Sequence, residues 1–364
     1  MTPDRSLVSC AEALQDPTRF DELIDVRSER EFADDHLPGA INRPVLHDAE
    51  RAEIGTLYKQ VSPFNARRRG AVLVARNIAT IVETQLEAKP RDWKPLVYCW
   101  RGGQRSAALT HVLARIGWHP LQLEGGYQAY RRQVVQDLLE LPARLELRII
   151  CGTTGSGKSR LLQHLAQVGA QVLDLERLAN HRGSVLGAMP SLAQPSQKQF
   201  ESRIWWALRE LRANAPVFVE SESRKVGDLR VPDALITAMR AAPCTRLELP
   251  IAERVKLLRD EYVHFERDPA QLAIQLDCLV PRHGSERVGE WKALAAAGKW
   301  DEMVERLLQE HYDPAYLRSI GRNFAQVGAA RVLEIEGVAP DAFESAARVL
   351  VAETSNAQGT AIDG

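Results

Sequence analysis

Apolar residues in this chain fall into short runs separated by longer stretches with helical spacing. In the first half, "ELIDVRS" (Glu22–Ser28) and "PLVYCW" (Pro95–Trp100) read as buried strands, and "WHPLQLEGGYQAYRRQV" reads as strand, glycine turn and helix. A polar helix start lies in "EREFADDHLPGAIN", where His36-Leu37-Pro38-Gly39 is turn chemistry. The polar stretch Leu46–Arg69 carries few strand signals. "DLLELPARLELRIICG" holds a boundary: the helical pattern ends near Leu139, Pro142 breaks it, and a strand begins near Leu145. Beyond it, "QVLDLE", "PVFVES", "CTRLELP" and "RVLEIEG" predict strands, with a long helix over Gln197–Ala213. Pro269–Ser319 is mostly helical in pattern, with Trp291, Trp300 and Tyr312 as candidate core anchors, and an amphipathic helix follows the last strand. Strands alternating with helices predict an α/β protein with two parallel-sheet domains, residues 1–140 and 141–353, the second with helical additions. Residues 354–364 are expected to be a disordered tail.

The chain has 364 residues, 45% hydrophobic and 26% charged, enough for two cores. A formal net charge of −1 means that a nucleic-acid partner must be met by local basic patches. No apolar run of the roughly 18 residues a membrane span needs is present, and the start lacks the order of a signal peptide. The five cysteines, Cys10, Cys99, Cys151, Cys244 and Cys278, are scattered without a CxxC pair. Neither a zinc site nor a disulfide framework is expected, and a reducing cytoplasm fits.

Cys99 stands at the end of an apolar run, followed by "WRGGQRSAAL". Arg101 and Arg105 bring positive charge, Gly102 and Gly103 let backbone N–H groups turn inward, and a helix pattern begins at Ser106. All three favour a thiolate. The plainer reading is a buried strand-end cysteine beside a solvated basic loop. Together, "DVRSEREFADDHLPGAIN", "CWRGGQRSAAL" and "LEGGYQAY" resemble a rhodanese domain, in that family's order. The resemblance implies that Cys99 carries sulfur or selenium covalently, and that Asp25 in "DVR" fixes neighbouring loops together with Arg27.

"GTTGSGKS" (Gly152–Ser159) fits the phosphate-loop pattern G-x-x-x-x-G-K-[ST], with an apolar strand before it and a helix after it. Gly152, Gly155, Ser156 and Gly157 would surround phosphate oxygens with backbone amides. Lys158 would reach the outer phosphate, and Ser159 would hold magnesium. Asp174 and Glu176 ending one strand, or Glu220 and Glu222 ending another, are the candidate acids for that metal. No adenine-reading signature is present. His181, Arg182 and Ser184 in "LANHRGS" offer donors, and Arg224, Lys225 and Arg230 follow a strand, where α/β ligand sites form. Phe200, Trp205 and Trp206, at helical spacing, read first as core, with one of them available to line a pocket.

In full order, the rhodanese module, a basic insert ending in Arg67-Arg68-Arg69, the phosphate loop, "LANHRGS", "QPSQ" and "ESRKVG" resemble the bacterial tRNA 2-selenouridine synthase family up to about Gly337. That resemblance implies a transferase acting in two steps on 2-thiouridine at the wobble position of tRNA. The sulfur first takes a geranyl group from geranyl diphosphate, and selenium from selenophosphate then replaces the geranylated sulfur. On that expectation Cys99 passes through S-selanylcysteine, the phosphate loop grips diphosphate, and His181, Arg182, Arg224 and Lys225 bind substrate. From local basic clustering, Arg67, Arg68 and Arg69, with Arg131-Arg132 and Arg224-Lys225, are expected to bind tRNA, and the protein is expected to be a monomer. Two rivals stay open: a sulfurtransferase fused to an ATP-dependent kinase, and a non-catalytic tRNA-binding protein.

Overall fold

The computed structural model describes residues 6–189 and 192–359. The chain folds as two compact units that do not follow a single cut. The first holds the residues up to Asp137 together with Ser196–Trp206; the second holds Leu138–Pro195 and the chain from Ala207 onward.

In the first unit, strands β1 (Leu7–Val8), β2 (Glu22–Asp25), β3 (Ala40–Asn42), β4 (Pro95–Tyr98) and β5 (Leu121–Leu123) form a parallel sheet. Their order is β1-β5-β4-β2-β3, so β4 is central. All four of its residues are buried, as a strand covered on both faces requires. Ile24, Val97, Leu109 and Leu113 belong to the core packed against it. The polar stretch from Leu46 becomes the helix Asp48–Gln60 and the first turns of Pro63–Gln85, a helix that contributes Ile78 and Ile81 to that core. Both β1 and β3 escape a reading of apolar runs, because each has only two or three residues.

The helix Gln197–Glu210 belongs to this unit as far as Trp206. Ser196 caps it, accepting from the Gln199 N–H at 3.1 Å. Phe200 and Trp205 are fully buried and so are core, and Trp205 meets the ring of Tyr130 edge-on at 5.5 Å. Its indole N–H donates to Asp137 at 2.8 Å. Ser202 and Tyr127 donate to the same oxygen of buried Asp35, at 2.9 and 2.8 Å. Burial drives the Asp35 carboxyl upward from its ordinary range.

In the second unit, β6 (Leu147–Cys151), β7 (Gln171–Leu173), β8 (Val217–Glu220), β9 (Lys225–Val226), β10 (Leu229–Arg230), β11 (Cys244–Glu248) and β12 (Arg331–Glu334) follow in chain order. β9 and β10 pair as a small hairpin that no apolar run announces. The other five form a parallel sheet ordered β12-β11-β6-β8-β7, with β6 central. Ile150, Leu161, Leu165, Phe218 and Phe343 fill its core. The helical additions hold a separate cluster in which Trp291 is fully buried, while Trp300 and Tyr312 are only partly buried. The last helix, Pro340–Gly359, runs through the first part of the expected tail; residues 360–364 lie outside the described residues. Among the described residues no helix is long and apolar enough to cross a membrane.

Removing the Trp205 side chain should lower the stability of the first unit by about 3–5 kcal/mol, the usual cost of truncating a buried tryptophan. The check is the urea midpoint of Trp205→Ala, and a midpoint unchanged from wild type would contradict this packing.

Candidate active sites

Cys99 follows β4 directly and is buried. Its Sγ accepts from the Gly103 N–H at 3.3 Å and from the Ser106 hydroxyl at 3.2 Å. Gly103 is the N-cap of the helix Gln104–Ile116, whose positive end faces the sulfur. The loop closes so tightly that only glycine fits at 102: φ is +63°, and a Cβ would sit 2.6 Å from the Leu123 carbonyl oxygen. Arg101 is exposed, and Arg105 donates to Glu31 at 2.9 Å. Asp25 and Arg27 form a buried ion pair at 2.6 Å, and Arg27 also donates to the Asp35 carbonyl at 2.6 Å. Its guanidinium lies 4.0 Å from the centroid of the Tyr127 ring. The pair therefore ties three chain segments together beneath the cysteine loop.

The phosphate loop follows β6 and enters the helix Lys158–Gln167. Gly157 has φ +85°, and a Cβ there would meet the Phe343 ring at 2.5 Å. Lys158 donates to the carbonyls of Gly152 and Thr153 at 2.9 and 3.2 Å. Partners from far along the chain hold the loop. The Gly152 N–H donates to the Tyr316 hydroxyl at 2.7 Å, and Arg254 bridges the Thr154 carbonyl (2.7 Å) and Asp313 (2.6 Å). Sequence reading missed these three residues, since no local pattern marks them. It did carry a signal for Ser106, which stands within the "WRGGQRSAAL" stretch.

The acids also fall differently from the sequence expectation. β7 ends at Leu173; Asp174 caps the short helix Leu175–Ala179, accepting from the Arg177 N–H at 2.8 Å, and Glu176 lies inside that helix. Oxygens of Glu176, Glu220 and Glu222 lie within 4.8 Å of one another. Ser159 donates to Glu176 at 2.9 Å, and the Glu176 N–H donates to Glu220 at 3.0 Å. The second oxygen of fully buried Glu220 has no hydrogen-bond partner. Burial, opposed by Lys158, pushes Glu176 up to about 7. Burial and the neighbouring carboxylates raise Glu222 to about 8 and Glu220 well above its ordinary range. An orphaned buried oxygen among closely spaced hard donors fits a cation such as magnesium.

Arg182 and Ser184 line the cleft around Lys158. Arg182 donates to the Glu261 carbonyl and lies 4.8 Å from the centroid of the Tyr262 ring. His181 is buried, and its Nδ1 accepts from the Gly183 N–H at 3.1 Å, which fixes the loop; burial lowers its pKa. Arg224 and Lys225 are exposed at the β9 end of the hairpin, and Lys225 shares a neighbouring hollow with His181. In the first unit Arg67, Arg68 and Arg69 are exposed on the helix Pro63–Gln85. Arg69 pairs with Glu53 at 2.8 Å, and Arg131 pairs with Glu201.

Two sequence profiles match: a rhodanese-like domain over residues 8–133 and the tRNA 2-selenouridine synthase AAA domain over residues 145–276. The chain is similar to the tRNA 2-selenouridine synthase of Nitrosomonas europaea, with 36% identity over 66% of this chain and 63% of that one. For the synthase of Marinobacter nauticus the identity is 32%, over 81% of this chain and 87% of the relative. For that of Bdellovibrio bacteriovorus it is 30%, over 84% and 90%. With both loops intact and these relatives matched over most of their length, the chain belongs to the tRNA 2-selenouridine synthase family.

Proposed function

We propose that this protein modifies tRNA, converting 2-thiouridine at the wobble position to 2-selenouridine in two steps. In the first, the uridine sulfur bonds to C1 of geranyl diphosphate. The C1–O bond breaks, diphosphate leaves with the electron pair, and the N3 proton is lost. In the second, the selenide-level selenium of selenophosphate bonds to C2, water cleaves its P–Se bond to release phosphate, and the C2–S bond breaks so that the sulfur departs as geranyl thiol while N3 regains its proton. Alkylation turns a poor leaving group into a good one. One observation carries the reading: a chain of this family joins a sulfur that accepts two hydrogen bonds to a phosphate loop backed by Lys158.

Each loop suits one step. Diphosphate departure builds negative charge, which preorganised loop amides and Lys158 oppose most strongly as the bond breaks. Ser159 with Glu176, Glu220 and Glu222 would hold magnesium, which when bound supplies further charge against the leaving group. Arg182 stands at the same cleft. At Cys99 the Gly103 N–H and the Ser106 hydroxyl point at the sulfur and hold it at the mouth of the loop, where it would position the incoming selenium for the exchange at C2. For tRNA, the exposed Arg67 and Arg68 lie on a helix that also exposes Phe64, an arrangement suited to phosphate contact and base stacking.

Lys158→Ala should reduce geranylation by about 100- to 1,000-fold, the cost of removing one such charge-stabilising donor, while tRNA supplied already S-geranylated is still converted to 2-selenouridine. Equal loss in both assays would argue against diphosphate at this loop, and ATP consumption in step with turnover would favour the kinase fusion. Cys99→Ala should show the reverse pattern, with S-geranyl-2-thiouridine accumulating and 2-selenouridine absent from the nucleoside mass spectrum. 2-Selenouridine formed at the wild-type rate without Cys99 would remove the cysteine from the reaction, and a wild-type protein that binds tRNA but yields neither product would favour the non-catalytic reading. Replacing Arg67 and Arg68 by serine should weaken tRNA binding and lower the slope of log affinity against log salt by about 0.9 for each phosphate no longer neutralised. Arg69→Ser should matter less, because Glu53 already meets its charge; an unchanged slope in the double variant would remove this helix from the interface.

A further inference from the structure

An apolar chamber adjoins the phosphate cleft in the second unit. The two spaces share Thr154, Ser184, Leu258, Tyr262 and Tyr312, so the chamber opens beside the phosphate loop itself. Its interior is built by Phe265, Leu272, Trp300, Met303 and Leu307 from the helical additions. The space is narrow, about 60 Å³ open to the centre of a water-sized sphere and well under the about 300–1,000 Å³ usual for small-ligand pockets, so it suits a slender chain and not a ring system.

We infer that this chamber binds the isoprenoid chain of the diphosphate substrate and sets its length. The inference rests on the geranyl-transfer reading above and assigns residues to its specificity. Several polar groups around the chamber already have partners. The Ser184 hydroxyl bonds the Tyr262 hydroxyl at 3.3 Å, and Arg259 pairs with Glu266 and Asp301, both at 2.9 Å. Among the described residues, no chamber side chain has a buried polar atom left without a partner. A nucleobase placed here would bury its hydrogen-bonding edge against carbon, an arrangement that binding sites reject strongly. A hydrocarbon chain has no such edge. Anchoring the diphosphate on the loop and the chain in the chamber would leave the bond between them at the shared mouth, where a nucleophile can reach it. The partial exposure of Trp300 and Tyr312 has the same explanation: these rings form the wall of a space and not the centre of a core.

The test is binding of three probes, geranyl diphosphate, farnesyl diphosphate and inorganic diphosphate, to the full chain by calorimetry. One buried methylene can be worth about tenfold or more, so wild type should hold geranyl diphosphate at least about 100-fold more tightly than inorganic diphosphate. Met303→Trp fills the chamber. It should cut that advantage by about tenfold or more and leave inorganic diphosphate within about twofold of wild type. Met303→Ala enlarges the chamber and should shift preference severalfold toward farnesyl diphosphate; it decides the matter if the tryptophan variant does not fold. Wild-type chain preferences in both variants would overturn the chamber assignment while leaving geranyl transfer standing. No advantage of geranyl over inorganic diphosphate in wild type would overturn both.

Discussion

Backbone N–H groups converge on an anion only where the chain turns sharply just before a helix begins, and that constraint shapes both halves of this protein. The cysteine loop leaves β4 and the phosphate loop leaves β6, each the central strand of a five-stranded parallel sheet. In such a sheet the crevice beyond the carboxyl ends of the strands is where ligands bind. Each loop uses a glycine at positive φ wedged against another segment: Gly102 against the Leu123 carbonyl, Gly157 against Phe343. Each is followed at once by a helix, whose positive end faces the Cys99 sulfur in one unit and the phosphate-loop backbone in the other. The same physical device thus recurs at both loops, and under the proposed function one would carry a chalcogen and the other grip diphosphate.

What surrounds those loops decides how they act. Arg105 turns to Glu31, so the Cys99 sulfur takes its hydrogen bonds from Gly103 and Ser106 and not from the arginine that follows it. The phosphate loop is braced by Tyr316, Arg254 and Asp313, all from beyond β11 in the second unit. The helical additions therefore do two things at once: they help to hold the Gly152 and Thr154 backbone in place and they build the apolar chamber beside it. Met303 and Leu307 belong to an ordinary hydrophobic cluster that leaves space at the edge facing the phosphate loop.

The two central strands, the two loops and the order of the larger elements were legible because their signals are local. Four-residue apolar runs, a glycine pattern and a break at Pro142 all lie within a few positions of one another. Longer-range features left no such trace. The helix beginning at Gln197 reads as part of the second domain, yet Phe200 and Trp205 complete the core of the first, since a helical stripe does not say which sheet it covers. Glu176 reads as a strand end because "QVLDLE" alternates, but Asp174 stops the strand and starts a helix by capping it. The carboxylate trio and the braces on the phosphate loop meet only in three dimensions. Trp300 and Tyr312 read as core anchors, since chamber walls and cores use the same residues.

The central claim is that alkylation at the phosphate loop precedes and enables chalcogen exchange at the cysteine loop. Nucleoside mass analysis of 2-thiouridine tRNA, incubated with the wild-type protein and geranyl diphosphate, tests it most directly. Without selenophosphate the account predicts accumulation of S-geranyl-2-thiouridine, and with selenophosphate its conversion to 2-selenouridine. Formation of 2-selenouridine from selenophosphate when geranyl diphosphate is withheld would contradict it.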